Sequence, residues 1–321
     1  MLHVLLPFFL AVSIPSPGNE TWQLGPEYKF SARVRMISAL DRDEGASLGN
    51  DMKADLRCQP ASLAASQNRT LICRLENSVI GKINPRAYDV YGKEESDGYN
   101  KFGLMKEFFG VEYNERGGIE GYVIEKTAPP LAAWSLNMAR LIVNQLSIGG
   151  SVADEFTPEF RISENFTFGE CDVDYTVSRK PARLVADSKR NFELVALDKL
   201  GDFHEESIEI EKIRDVNDCL VRADYFFGSR YTYGIVMRDV LTKIKSSRSR
   251  IFISKNELRA ETVNEVELFG MDRKRQGNVL DHMEIELVSV TPAKEIFASF
   301  KNPVYMEVLA NHRAESPARV Q

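Results

Sequence analysis

The sequence predicts a mainly β protein: an antiparallel barrel or curled sheet wrapped around one central apolar α-helix. Three observations predict it. Segments of strict two-residue alternation recur between residues 27 and 290, separated by Gly, Asn, Asp and Pro. A single stretch breaks that rhythm, opened by Pro129-Pro130 and closed by Gly149-Gly150 with strong helix formers between. Of the 321 residues, 43% are hydrophobic and 27% charged, which supplies an ample core and places the chain among ordinary globular proteins.

The first thirteen residues, "MLHVLLPFFLAVS", form an apolar run too short to span a bilayer. With small residues Ala11 and Ser13 at cleavage spacing, residues 1–13 read as a secretory signal peptide; a buried N-terminal strand is the alternative. Residues 14–308 then form one β domain, and 309–321 a polar tail. The stretch 27–40 alternates Tyr28, Phe30, Ala32, Val34 and Met36 toward one face. A hairpin is predicted where 114–118 can turn between the runs 111–113 and 119–124. In the segment 128–150, Asn137, Arg140 and Asn144 share one narrow stripe, while Leu131, Trp134, Met138, Leu141, Ile142 and Leu146 lie opposite. A helix apolar around most of its circumference calls for burial on nearly all sides. Trp134, Met138, Leu141 and Ile142 are therefore its expected core contacts. A membrane-binding helix is disfavoured by the single cation on its polar stripe.

In "GECDVDYTV" one face carries Cys171, Val173, Tyr175 and Val177, and the other Glu170, Asp172, Asp174 and Thr176. Runs at 207–213, 248–254 and 282–290 repeat the habit. Along 207–216, Ile208 and Ile210 point inward and Glu209 and Glu211 outward. Lys212 then falls on the inward parity unless a bulge intervenes.

Four cysteines in an exported chain favour disulfides, and no CxxC or Cys/His cluster competes for a metal. Cys58 and Cys73 flank 14 residues and could staple two neighbouring strands; Cys171 and Cys219 would be the second pair, with free buried thiols as the alternative. Sequons at Asn19, Asn68 and Asn165 point to the same compartment.

The formal charge of −6 argues against sequence-independent affinity for nucleic acid. The chain has no G-x-S-x-G, P-loop, H-E-x-x-H or dinucleotide fingerprint. Its four histidines (3, 204, 282 and 312) lie far apart, and "DFHEESIEIE" around His204 reads as a solvated acidic loop. A non-enzymatic protein without cofactor or metal is expected.

Several spaced motifs resemble the N-terminal β-barrel module of the vitellogenin-type large lipid transfer proteins. "WQLGPEYKFSARVRMISAL" is similar to the family's first strand. "FGVEYNERGGIEGYVIEKTAPPLAAWSLNMARLIVNQLSI" resembles its hairpin, Pro-Trp step and helix with an Asn-x-x-Arg element, here Asn137 and Arg140. "GECDVDY" and "IEKIRDVNDCLVRADYFFG" resemble its two cysteine-bearing strands. The resemblance runs from about Trp22 to Val290, and it implies a Cys171–Cys219 disulfide. The segment between those cysteines carries an insertion, "ADSKRNFELVALDKLGDFHEE".

In function, the resemblance implies a secreted lipid-transport module whose barrel serves receptor or intra-carrier docking. A lipoprotein-type receptor would be the partner, met by Lys212 and Arg214, the positions matching the family's basic stretch. A barrel plugged by its own helix leaves no room for cargo, so lipid is expected only together with the remaining carrier domains. A triglyceride-transfer-type lumenal subunit and a surface-recognition protein without lipid cargo are the alternative functions.

Overall fold

The computed structural model of the chain describes residues 3–6, 10–13, 22–41, 47–61, 69–84, 89–92, 96–127, 129–149, 158–181, 190–196, 206–223, 225–226, 240–297 and 299–310. Its strands, in chain order, are β1 (His3–Leu6), β2 (Leu10–Ser13), β3 (Pro26–Leu40), β4 (Ser47–Pro60), β5 (Thr70–Ile83), β6 (Tyr99–Lys101), β7 (Phe109–Tyr113) and β8 (Ile119–Glu125). Helix α1 (Ala133–Val143) follows, tightened at its end into a 3-10 turn over Asn144–Leu146. Then come β9 (Glu159–Phe166), β10 (Gly169–Pro181), β11 (Glu193–Ala196), β12 (Glu206–Arg222), β13 (Val240–Ser254), β14 (Glu257–Gly270), β15 (Arg275–Pro292) and β16 (Pro303–Met306).

One antiparallel sheet runs in the order β16-β8-β7-β5-β4-β3-β15-β14-β13-β12-β10-β9, with β6 paired to β5. Two-residue periodicity gives it two distinct faces. Tyr28, Phe30, Ala32 and Val34 are buried on the concave side, as the alternation requires, and join one core cluster with Met138, Leu141 and Ile142 of the helix. The expected turn forms with Asn114 Oδ1 accepting the N–H groups of Arg116 and Gly118, both at 2.9 Å. Gly117 there adopts φ 89°, a conformation that glycine enters without steric cost.

The sheet curls but does not close into a barrel. Its end strands β16 and β9 are not paired with each other. Instead Ala310, four residues past β16, donates its N–H to Thr167 O in the β9–β10 turn at 2.7 Å, and Val308 and Ala310 are buried beside it. A stretch of loop bridges the seam where a ladder would be needed for closure.

The helix lies in the trough, as the sequence predicts, but is shorter and more completely enclosed. Every residue from Ser135 to Val143 is buried. The polar stripe is buried too: Arg140 donates from Nε to Glu307 O at 3.0 Å and from Nη1 to Asn137 Oδ1 at 2.7 Å. Met105 N–H to Ser135 Oγ (2.6 Å) and Ile119 N–H to Ser147 Oγ (3.1 Å) pin its two ends. Trp134 departs from the expectation: it is half-buried in the first turn, with its ring 5.4 Å from that of Phe102, while Met138, Leu141 and Ile142 are at most 5% exposed.

β1 and β2, formed by residues of the expected signal peptide, pair as a hairpin and join β11 in a separate three-stranded sheet. β11 lies in the insertion noted above. Phe192 and Leu194 of that insertion are buried in the main core, and Leu194 N–H reaches Lys255 O at 2.6 Å.

Candidate functional site

The residues expected to meet a partner lie on β12, and its register decides where they point. Val173 of β10 pairs with Arg214 and Tyr175 pairs with Lys212, but Cys171 pairs with Cys219. Two steps along β10 therefore match five along β12, so the strand bulges over 215–218, after Arg214 rather than before Lys212. Lys212 and Arg214 keep the inward parity of Ile208 and Ile210. They are only 1% and 7% exposed, which corrects their assignment as surface contacts for a receptor. Both side chains face the core.

The bulge brings the two cysteines face to face. The structure joins Cys171 to Cys219 and Cys58 to Cys73, each across directly paired strand positions. Gly169 is required beside the first bridge, because a Cβ there would lie 2.6 Å from Val221 O. The Gly-x-Cys element thus has a steric reason.

Beneath that disulfide the buried charges form one polar cluster. Lys212 donates from Nζ to Glu164 Oε1 at 2.6 Å and to Ser147 O at 3.1 Å. Tyr175 donates its hydroxyl to Glu164 Oε2 at 2.8 Å and accepts the Gly149 N–H at 2.9 Å. Arg214 lies over the Phe166 ring at 4.1 Å and donates from Nη1 to Ser247 Oγ (3.0 Å) and Ser249 Oγ (2.7 Å). Burial pulls the Lys212 ammonium down to about 8, against the upward pull of Glu164. Burial likewise lowers the Arg214 guanidinium and raises the Tyr175 phenol, whose proton stays on to donate to Glu164.

The cluster ties β9, β10 and β12 to the loop leaving the helix. A lysine with a depressed pKa can serve as a nucleophile where substrate reaches it. Here it is enclosed and ion-paired, and its chemistry is that of an internal strut. Glu164 and Tyr175 were missed as site residues. Glu164 shares the parity of Phe166 and Ile162, so an inward carboxylate was visible in the sequence; Ser147 and Gly149 gave no signal.

A cavity of about 90 Å³ adjoins the Cys171–Cys219 disulfide, lined by Cys219 and among others by Phe168, Val216, Arg222, Tyr225 and Ile244. It has room for a few waters. No group of three or more His, Cys, Asp or Glu residues among the described residues is placed to hold a metal. No helix among them is long and apolar enough to cross a membrane. Of the sequons, Asn165 is exposed at the end of β9, while Asn19 and Asn68 lie outside the described residues, as does His204.

Large apolar side chains are exposed at one end of the sheet. Strand registers bring Leu40, Leu48, Leu220, Val221, Leu241 and Met271 to that end, with exposed cations Arg222, Lys243, Arg273 and Lys274 among them.

Residues 22–295 match the family model described as "Vitellogenin N-terminal domain". The chain belongs to that family. Vitellogenin-A1 of Aedes aegypti is 23% identical to this vitellogenin-type chain over 219 residues, which span 65% of the chain and 10% of that protein. A solved structure described as "lipid-protein interactions in lipovitellin" shares the fold at a TM-score of 0.57 and 12% identity, over 93% of this chain and 28% of the other. The chain therefore spans between a tenth and about a quarter of the relatives it matches.

Proposed function

We propose that this vitellogenin-type module is secreted, performs no catalysis and contributes docking to lipid transport, meeting a lipoprotein-type receptor or the other parts of a larger carrier. One observation carries the reading: nine consecutive helix residues and the concave faces of the strands fill the trough with side chains. Lipid cargo would have to be held by other carrier domains, which leaves this module its surface to work with. Two disulfides suit an oxidising compartment.

With Lys212 and Arg214 inside, the surface best suited to docking is the β14–β15 turn at the exposed end of the sheet, where Arg273 and Lys274 stand beside Met271. Cations there would complement the acidic clusters of a lipoprotein-type receptor module. The double change Arg273→Glu, Lys274→Glu should lower the association rate with an acidic receptor fragment on the order of tenfold at low salt. Surface plasmon resonance across a salt series would measure it. A folded double variant that associates as fast as the parent would remove receptor docking from this end.

A further inference from the structure

We infer that Asn165 carries an N-linked glycan whose first sugars lie over Val221 and cover an apolar corner of the sheet. The sequon Asn165-Phe166-Thr167 occupies the tip of the β9–β10 hairpin, where Phe166 pairs with Gly169 and Thr167 opens the two-residue turn. Glu164 and Phe166 point inward and are buried, so Asn165 between them points outward, and it is exposed. The 308–310 loop meets the turn at Thr167 along the seam, but the outer face at Asn165 is exposed, which leaves room there for an oligosaccharide.

Registers fix what the glycan would meet. Asn165 pairs with Glu170, and Glu170 pairs with Val221, so the three form one row across the outer face. At a strand spacing of about 4.8 Å, Val221 lies roughly 10 Å from Asn165, within the span of the first two sugars of a glycan. Val221 is 44% exposed and its neighbour Leu220 80%, an apolar corner without cover from the described residues. The carbohydrate would cover it and would also block strand addition at the edge.

The chemistry is that of oligosaccharide transfer. The side-chain amide nitrogen of Asn165 forms a C–N bond to the anomeric carbon of a polyprenyl-diphosphate-linked oligosaccharide. The anomeric C–O bond breaks, and the polyprenyl diphosphate leaves as the amide proton is lost. Thr167 completes the recognition triplet.

The inference rests on passage through the secretory pathway, so the test supplies that passage: the chain is expressed in insect cells behind a heterologous secretory leader. Peptide mapping with glycosidase release in 18O-water should label the peptide that holds Asn165. Thr167→Ala should abolish the label and Thr167→Ser retain it. An unmodified Asn165 in the folded, secreted product would overturn the site while leaving the docking proposal untouched. Enzymatic deglycosylation of the native protein should raise binding of a hydrophobic dye, and Val221→Ser should cancel that rise. Dye binding that does not change on deglycosylation would overturn the covering role.

Discussion

The two faces of the sheet handle charge in opposite ways. On the convex face, cross-strand ion pairs recur at positions open to water: Lys245 with Glu265 at 2.9 Å, and Arg161 with Asp172, Asp174 and Asp215 at 3.0–3.3 Å. On the concave face the ionisable groups are few and enclosed: Lys212 with Glu164, Arg214, and Asp281, which accepts a hydrogen bond from Asn264 Nδ2 at 2.9 Å. The same chemical pairing therefore carries different weight on each side. Water already solvates these open convex charges, unlike the enclosed convex Arg35 and Asp51, so a partner there adds little, whereas a concave charge that loses its partner has nothing to replace it.

The largest expected effect is at Glu164. Glu164→Ala leaves the Lys212 ammonium buried and unpaired, and should cost about 3–5 kcal/mol in urea unfolding. Replacing both partners, Glu164→Leu with Lys212→Met, should recover most of the loss. A single-variant cost below about 1 kcal/mol would erase the contrast between the faces.

Asp281 sharpens it through pH. Burial raises its pKa well above the ordinary carboxylate value, so the folded state holds the proton more tightly than the unfolded chain. The stability this group contributes is fully present below the unfolded value of about 4 and is lost as pH rises through the folded value. Asp281→Asn keeps an acceptor for Asn264 and cannot ionise. It should be more stable than the parent at neutral pH, with the gap closing toward about pH 4. A gap that widens in acid would mean that the carboxylate is stabilised where it sits.

The smallest effect belongs to the convex face. Lys245→Ala should change stability by less than about 1 kcal/mol, and most of that should vanish at high salt. A loss comparable with that at Glu164 would show that the convex pairs act as one network, and that the two faces differ less than their exposure suggests.

The sequence by itself determined the local features. Alternation in 27–40 and 207–216 set which side chains share a face, including the inward parity of Lys212, because side-chain direction along a strand follows from backbone geometry alone. The Pro and Gly pairs bracketed the helix, and its apolar circumference required enclosure. Tertiary structure decided what depends on distant segments meeting. Glu164 reaches Lys212 only because β9 and β12 flank β10, and the bulge at 215–218 is defined only against the register of β10. Trp134 is left half-buried by where the first helix turn meets Phe102. The curl is bridged by Ala310 meeting the turn at Thr167, and neither segment signals the other in sequence. Periodicity reports the face to which a residue belongs, whereas a partner is fixed by the packing of the whole chain, in which contacts far apart in sequence are stable only together.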